Sequence, residues 1–205
     1  MNTHQRHLTK MDSTKIHSER NFQRALQFIT LINKDYSLKS GDVLFLGTKD
    51  FYRDLAKLTA FKCNQSFVNQ TWKPGTLTNW NETEKRIKDL HSKKILVENH
   101  ISDVFSETTN RSIDYKIYED YARADTRWGG LLRSKKEPRL IVCLNPESNK
   151  VALREAQMRL IPTIRFSNNA QDVSSYNHSI LVKDGDFNSY LYYCNVLAQH
   201  LRDLS

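Results

Sequence analysis

Val43-Leu44-Phe45-Leu46-Gly47-Thr48-Lys49 is the stretch on which the reading of the fold turns. A short apolar run with no polar alternation leaves no face for water, so it predicts a strand buried on both sides. It stops at Gly47-Thr48-Lys49, and Phe51, Tyr52, Leu55 and Leu58 then fall at the spacing of one helical face. Upstream, Ser40-Gly41-Asp42 is turn-forming. Before it, Phe22, Ala25, Leu26, Ile29 and Ile32 predict a helix over 19–34, preceded by a polar tail over 1–18.

The same alternation continues outward. Ser66-Phe67-Val68 predicts a second strand. The charged segment 81–100, with a narrow stripe of Ile87, Leu90 and Leu96, predicts an exposed helix packed on one side. Tyr115, Ile117, Tyr118 and Tyr121 make 101–125 a second helix or an irregular excursion. Arg139 to Leu144 and Ile161 to Phe166 read as strands, separated by a helix carrying Val151, Ala152, Glu155, Ala156 and Leu160. Ser179-Ile180-Leu181-Val182 follows, and Phe187, Leu191, Cys194, Leu197, Ala198 and Leu201 close the chain as an amphipathic helix. Strands alternating with helices predict a doubly wound α/β fold. It has a mainly parallel sheet with helices on both faces, Rossmann-like or flavodoxin-like, in one domain over 19–205.

With 205 residues and 39% hydrophobic content, the chain has enough apolar material for one core. A net charge of +8 and a pI near 9.4 favour a polyanionic partner. Cys63, Cys143 and Cys194 stand far apart and form no C-x-x-C pair, which argues against a disulfide framework or a zinc knuckle. The apolar runs are too short to cross a bilayer, so no membrane partner is expected. Met1 to Arg20 has no secretory-type hydrophobic stretch; its basic start loosely resembles an organelle-targeting segment without a convincing apolar face.

Phe67 to Trp80 mixes rings, amides and hydroxyls where an ordinary connection carries charge. Asn69, Gln70, Thr76, Thr78 and Asn79 offer oriented hydrogen bonds, and Lys73 a cation, as a surface resting on folded RNA needs. Trp72 and Trp80 either stack there or tuck into the core. The basic cluster Arg123, Arg127, Arg133, Lys135, Lys136 and Arg139, around Trp128-Gly129-Gly130, is a second contact region.

Gly47-Thr48-Lys49 lacks the glycines of a dinucleotide or P-loop fingerprint, so no cofactor is expected. Gly47 permits a tight turn and Thr48 or Asp50 caps the next helix, while Lys49 and Arg53 remain free for an RNA backbone. No hydrolase or metalloprotease motif occurs, no enzyme is expected, and His91 and His100 read as solvated. Asp184-Gly185-Asp186 is a turn leading into the last helix, with a divalent ion as the weaker alternative.

These residues together resemble the second universal small-subunit ribosomal protein family, the S-two family of bacterial and organellar type. Phe45-Leu46-Gly47-Thr48-Lys49 is similar to its strand end Val/Leu-Gly-Thr-Lys. Phe67 through Trp80 is similar to its Tyr-Val-Asn-Gln-Arg-Trp-Leu-Gly-Gly-Thr-Leu-Thr-Asn-Phe motif. Pro138 to Val142, Asn145-Pro146, Ala152 with Glu155-Ala156, and Ile161 to Ile164 extend the likeness.

Departures accompany it: Thr71 for arginine, Pro74 for the first glycine, Ser167-Asn168-Asn169 for Asp-Thr-Asn, and a divergent segment between Trp80 and Gly130. The resemblance implies a shortened helical hairpin inserted in the α/β domain. It also implies a structural role on small-subunit ribosomal RNA and neighbouring ribosomal proteins, with no homo-oligomer. Lys49, Arg53, Arg86 and the loop and cluster residues above become candidate RNA contacts, with Trp72 and Leu77 fixing the loop. The drift implies a mitochondrial (matrix) ribosome, with chloroplast or bacterial cytoplasm as alternatives. Two other readings stay open: a small α/β enzyme or regulator binding a phosphorylated ligand near Gly47 and Ser167, and a non-ribosomal RNA-binding protein.

Overall fold

The computed structural model describes residues 3–105, 115–167, 177–183 and 185–204, with 3–17 and 102–105 as backbone only. Asp184, Asn168, Asn169 and the middle of the expected excursion lie outside the described residues.

Parallel strands β1 (Val43–Leu46), β2 (Ser66–Val68), β3 (Leu140–Cys143), β4 (Thr163–Ser167) and β5 (Asn177–Leu181) form a sheet in the order β2-β1-β3-β4-β5. The chain therefore reverses direction across the sheet between β1 and β3, the position at which doubly wound folds open a crevice. The expected doubly wound fold is the one observed.

Because successive side chains alternate faces, β1 divides its apolar run between two cores. Val43 and Phe45 join Val142, Leu144, Ile164 and Phe166 beneath three helices: α1 (Thr3–Tyr36), α2 (Phe51–Lys62) and α6 (Phe187–Leu204). Leu44 and Leu46 join Ile141, Cys143 and Val68 on the other face, beneath α3 (Trp80–Phe105) and α5 (Lys150–Met158). The second helix of the excursion, α4 (Tyr115–Trp128), packs on α3 and leads through a 3-10 turn at Gly129–Leu131 back to β3. Thus α3 and α4 make up the expected hairpin.

Several local expectations are corrected. Helix α1 begins at Thr3 rather than at 19, so the stretch expected to be a tail is helical from that residue. On α3 the buried stripe is Ile87, Leu90 and Val97, and Leu96 is exposed; a step of seven from Leu90 keeps Val97 on its face, whereas Leu96 is turned away. Leu58 and Leu160 are exposed as well.

Gly47 serves close packing rather than an unusual turn conformation. A Cβ there would lie 2.2 Å from the Tyr52 carbonyl oxygen. Neither expected cap forms on α2: Asp50 makes no side-chain cap bond, and the Thr48 hydroxyl is directed elsewhere. His100 is only partly exposed, with its Nε2 buried and unpartnered, rather than solvated. Cys63, Cys143 and Cys194 are free and buried.

Candidate nucleic-acid interface

The loop after β2 is built around a carboxylate that comes from the other half of the sheet. Glu155 on α5 is only 6% exposed, and its Oε1 accepts the Trp72 indole N–H at 3.0 Å and the Gly75 N–H at 2.9 Å. Its Oε2 accepts the backbone N–H groups of Leu77 at 2.9 Å and Thr78 at 3.2 Å, with the Thr78 hydroxyl at 3.4 Å. Burial pushes the Glu155 carboxyl upward, but these donors outweigh it and hold its pKa below the ordinary value of 4.5. Trp72 and Leu77 sink into the core beside it.

Between them Lys73-Pro74-Gly75-Thr76 makes a turn closed by the Thr76 N–H on the Lys73 carbonyl at 3.1 Å, with Gly75 at φ 90°. Pro then Gly at the two central positions is the type II pattern, so Pro74 for glycine is compatible with this turn. The Asn79 carbonyl accepts the first bonds of α3 from Glu82 and Thr83.

Two depressions flank this loop. One is a cleft of about 580 Å³ between α2, the exit of β2 and the α3–α4 pair; its walls include Asn69, Gln70, Lys57, Phe61, Lys94 and Arg133. The other is lined by Lys73, Asn79, Arg86 and Arg127, with Trp128 at its side. Of the sequence-derived candidates, Asn69, Gln70 and Arg133 border the first depression and Lys73, Thr76, Asn79, Arg86 and Arg127 the second, while Lys49, Arg53, Thr78, Lys135 and Lys136 border neither.

Thr76 does not belong to either group as a contact. Although it borders the second depression, it is 4% exposed and its hydroxyl donates to the Lys73 carbonyl at 2.6 Å, so its hydrogen-bonding capacity is spent inside the turn. Thr78 is exposed, but its hydroxyl faces Glu155. Trp72 is buried and Trp80 packs partly against the core, so both rings supply packing rather than a stacking surface.

The expected basic cluster separates in space. Arg127 and Arg133 line different depressions, while Lys135 and Lys136 are exposed in the turn before β3. Arg139 is engaged by Tyr36, donating to its carbonyl at 2.9 Å, and lies 3.7 Å from Asp42. Arg123 pairs with Glu119 at 2.8 Å. Arg86 pairs with Glu82 at 3.1 Å across one turn of α3, a solvated contact that a phosphate can displace at small cost.

At the crevice between β1 and β3 the protein fills its own site. The Thr48 N–H donates to Asn145 Oδ1 at 3.2 Å and its hydroxyl to Asn149 Oδ1 at 3.0 Å; Asn149 Nδ2 donates back to the Asn145 carbonyl at 2.9 Å. The Gly47 N–H is taken by the Val68 carbonyl. Arg53 donates its Nε–H to the Thr48 carbonyl at 3.1 Å, and Lys49 is exposed beside it. The donors that a phosphate needs at Gly47 and Thr48 are already occupied. Among the described residues no group of acids, histidines and cysteines is arranged to hold a metal ion, and Asp186 instead caps α6 by accepting the Ser189 N–H at 3.2 Å.

The sequence profile of the family described as "Ribosomal protein S2" matches residues 6–203. The chain belongs to the ribosomal protein S2 family. Small ribosomal subunit protein uS2 of Neorickettsia sennetsu is 33% identical over 167 residues, covering 80% of this chain and 53% of that protein. The uS2 protein of Ureaplasma parvum is 26% identical over 182 residues, covering 88% of this chain and 50% of its own length. The chain spans about half the length of these curated relatives. The S2 family is one of structural ribosomal proteins, not of enzymes.

In this S2-family chain, Lys57, Phe61 and Lys94 are among the cleft residues that sequence reading passed over. Lys57 and Phe61 are four apart on α2, outside the buried positions Leu55, Ala56, Thr59 and Ala60. Phe61 is 45% exposed, an aromatic ring on the wet side of a helix beside a lysine, and that combination was the available signal. No helix among the described residues is long and apolar enough to cross a membrane.

Proposed function

We propose that this chain is a structural constituent of the small ribosomal subunit, seated on subunit RNA and neighbouring ribosomal proteins, in the mitochondrial ribosome. The observation that carries the reading is the Glu155-centred loop. A buried carboxylate fixes its backbone and leaves Asn69, Gln70, Lys73 and Asn79 at its surface, beside Arg86, Arg127 and Arg133. Basic side chains there neutralise phosphates and the amides supply oriented hydrogen bonds, so docking works by shape and charge without chemistry. The uS2 names of the relatives support the ribosomal role. The mitochondrial assignment is supported by the drift at Thr71, Pro74 and the Trp80–Gly130 segment from the family motif.

The phosphorylated-ligand reading has less support, because Asn145 and Asn149 engage Thr48 where such a ligand would sit. Sedimentation tests the proposal. The tagged full-length chain should travel with small-subunit particles from purified mitochondria and be released by ribonuclease. Co-sedimentation with cytosolic or chloroplast particles would move the compartment, and a free monomer binding a nucleotide would remove the ribosomal role.

A further inference from the structure

In the cleft beside β2 the aromatic ring is exposed, whereas Trp128 at the second depression is partly buried against the core. Phe61 offers an exposed ring, and the Arg133 guanidinium lies over it at 4.8 Å from the centroid. Lys57 Nζ stands 5.9 Å from the same ring. A cation over a ring makes a broad flat surface, and bases add to both aromatic and guanidinium planes. Among the described residues neither Lys57 nor Arg133 makes an ion pair, and Asp125 is the one carboxylate among the residues lining the cleft. Lys94 has only a 3.7 Å contact with the exposed Glu98. Asn69 and Gln70 line the same cleft and are half-buried, and among the described residues their side-chain amides have no hydrogen-bond partner.

Half-buried amides with no partner inside the chain suit the edge of a ligand, since covering them without one would leave polar groups unpaired. The inner wall of the cleft is closed by Gly130, where a Cβ would lie 2.1 Å from the Phe67 carbonyl oxygen. This lets the turn at Gly129–Leu131 seat directly on β2.

The geometry points to a receptor for one unstacked RNA nucleotide: its base lies against the Phe61–Arg133 surface, its edge meets Asn69 and Gln70, and its phosphate meets Lys57 and Lys94. An acidic peptide would use the lysines but leave the ring and amides unread. A duplex presents no free base face to the ring. The cleft volume of about 580 Å³ suits a ligand of nucleotide size. The inference rests on the RNA-docking reading above and adds to it a single-stranded element in the partner.

Fluorescence anisotropy of labelled oligouridylate and oligoadenylate with the full-length chain tests it. Binding should be salt-dependent, Phe61→Ala should weaken it about tenfold, and Phe61→Tyr should restore it. Asn69→Ala should change the ratio of uridylate to adenylate affinity, which a charge-only surface would not do. Lys57→Gln, on an exposed side chain, should lower the salt slope by about one counterion without altering the fold. Equal binding by Phe61→Ala, or equal displacement by blunt duplex RNA, polyglutamate or inorganic phosphate, would overturn the nucleotide receptor. In each of those cases, co-sedimentation with ribosomal particles would leave the ribosomal role standing. Loss of co-sedimentation would remove the ribosomal role separately.

Discussion

The Trp72 indole N–H donates to Glu155 Oε1 at 3.0 Å, joining a loop that follows β2 to a helix that follows β3. Glu155→Ala leaves Trp72 Nε1 and the N–H groups of Gly75, Leu77 and Thr78 without their acceptor. Each buried donor left unmade costs about 1–3 kcal/mol, so the variant should lose at least ~3 kcal/mol in urea unfolding. Glu155→Gln should fall between the two, because its amide keeps one acceptor and places an N–H against the remaining donors.

Acidification reads the same carboxylate. Its folded pKa lies below the ordinary 4.5 because the hydrogen bonds favour the charged form more than burial disfavours it. A depressed carboxyl contributes stability that is full above its unfolded pKa and is lost as pH falls through the folded value. Thermal stability should therefore drop below about pH 4.5, and the drop should be smaller in Glu155→Gln. Asp186, held below 3.8 by the Ser189 hydroxyl and N–H, adds a smaller loss at lower pH. Melting curves from pH 6 to 3 measure both.

Three glycines should respond differently to alanine. Gly47→Ala and Gly130→Ala drive a Cβ to within 2.2 Å and 2.1 Å of backbone oxygens, and each should destabilise by ~3 kcal/mol or more. Gly75→Ala meets open space and pays only for its φ of 90°, about 1–2 kcal/mol.

Leucine at position 160 should be improvable. It stands at φ 56° and 75% exposed, where the Ile161 N–H to Ala156 and Leu160 N–H to Gln157 bonds close a Schellman motif. Glycine is the residue this position favours, so Leu160→Gly should raise unfolding free energy by up to ~1 kcal/mol. A loss instead would show that the side chain contributes packing despite its exposure.

The thiols of Cys63, Cys143 and Cys194 are each pushed up to about 12, chiefly by burial. A thiol-specific reagent at pH 8 should leave all three unmodified in the native protein and titrate them in denaturant. Fast reaction of any one in the native state would place it outside the core.

The strands were legible because β1 and β3 are buried on both faces and contain little but apolar residues; Val43–Leu46 needs no partner to be read. Helix α3 was legible as a helix but not in its register, because Leu90, Leu96 and Val97 offer two apolar stripes and only the packing against Ile87 selects one. The role of Glu155 was hidden for a different reason. Glu155 was legible only as one position of the helix that carries Ala152 and Ala156, because its donors lie far away in the sequence. Phe67 to Trp80 was conspicuous for its composition, yet Thr76 could be separated from Asn79 only once the turn had consumed its hydroxyl. Lys57 and Phe61 were masked by the buried face of their own helix.

The Trp72–Glu155 bond spans 83 residues of chain, which sets an order on synthesis. While the chain emerges from its N-terminus, β1, α2 and β2 are complete long before the acid that shapes the loop between β2 and α3 exists. Until α5 arrives, the loop's donors are satisfied by water and its amides point nowhere in particular. The loop's shape is therefore acquired late, and a chain truncated before Glu155 carries the whole Phe67–Trp80 sequence without it. The domain in this way defers the shaping of its most distinctive loop until most of itself has been made.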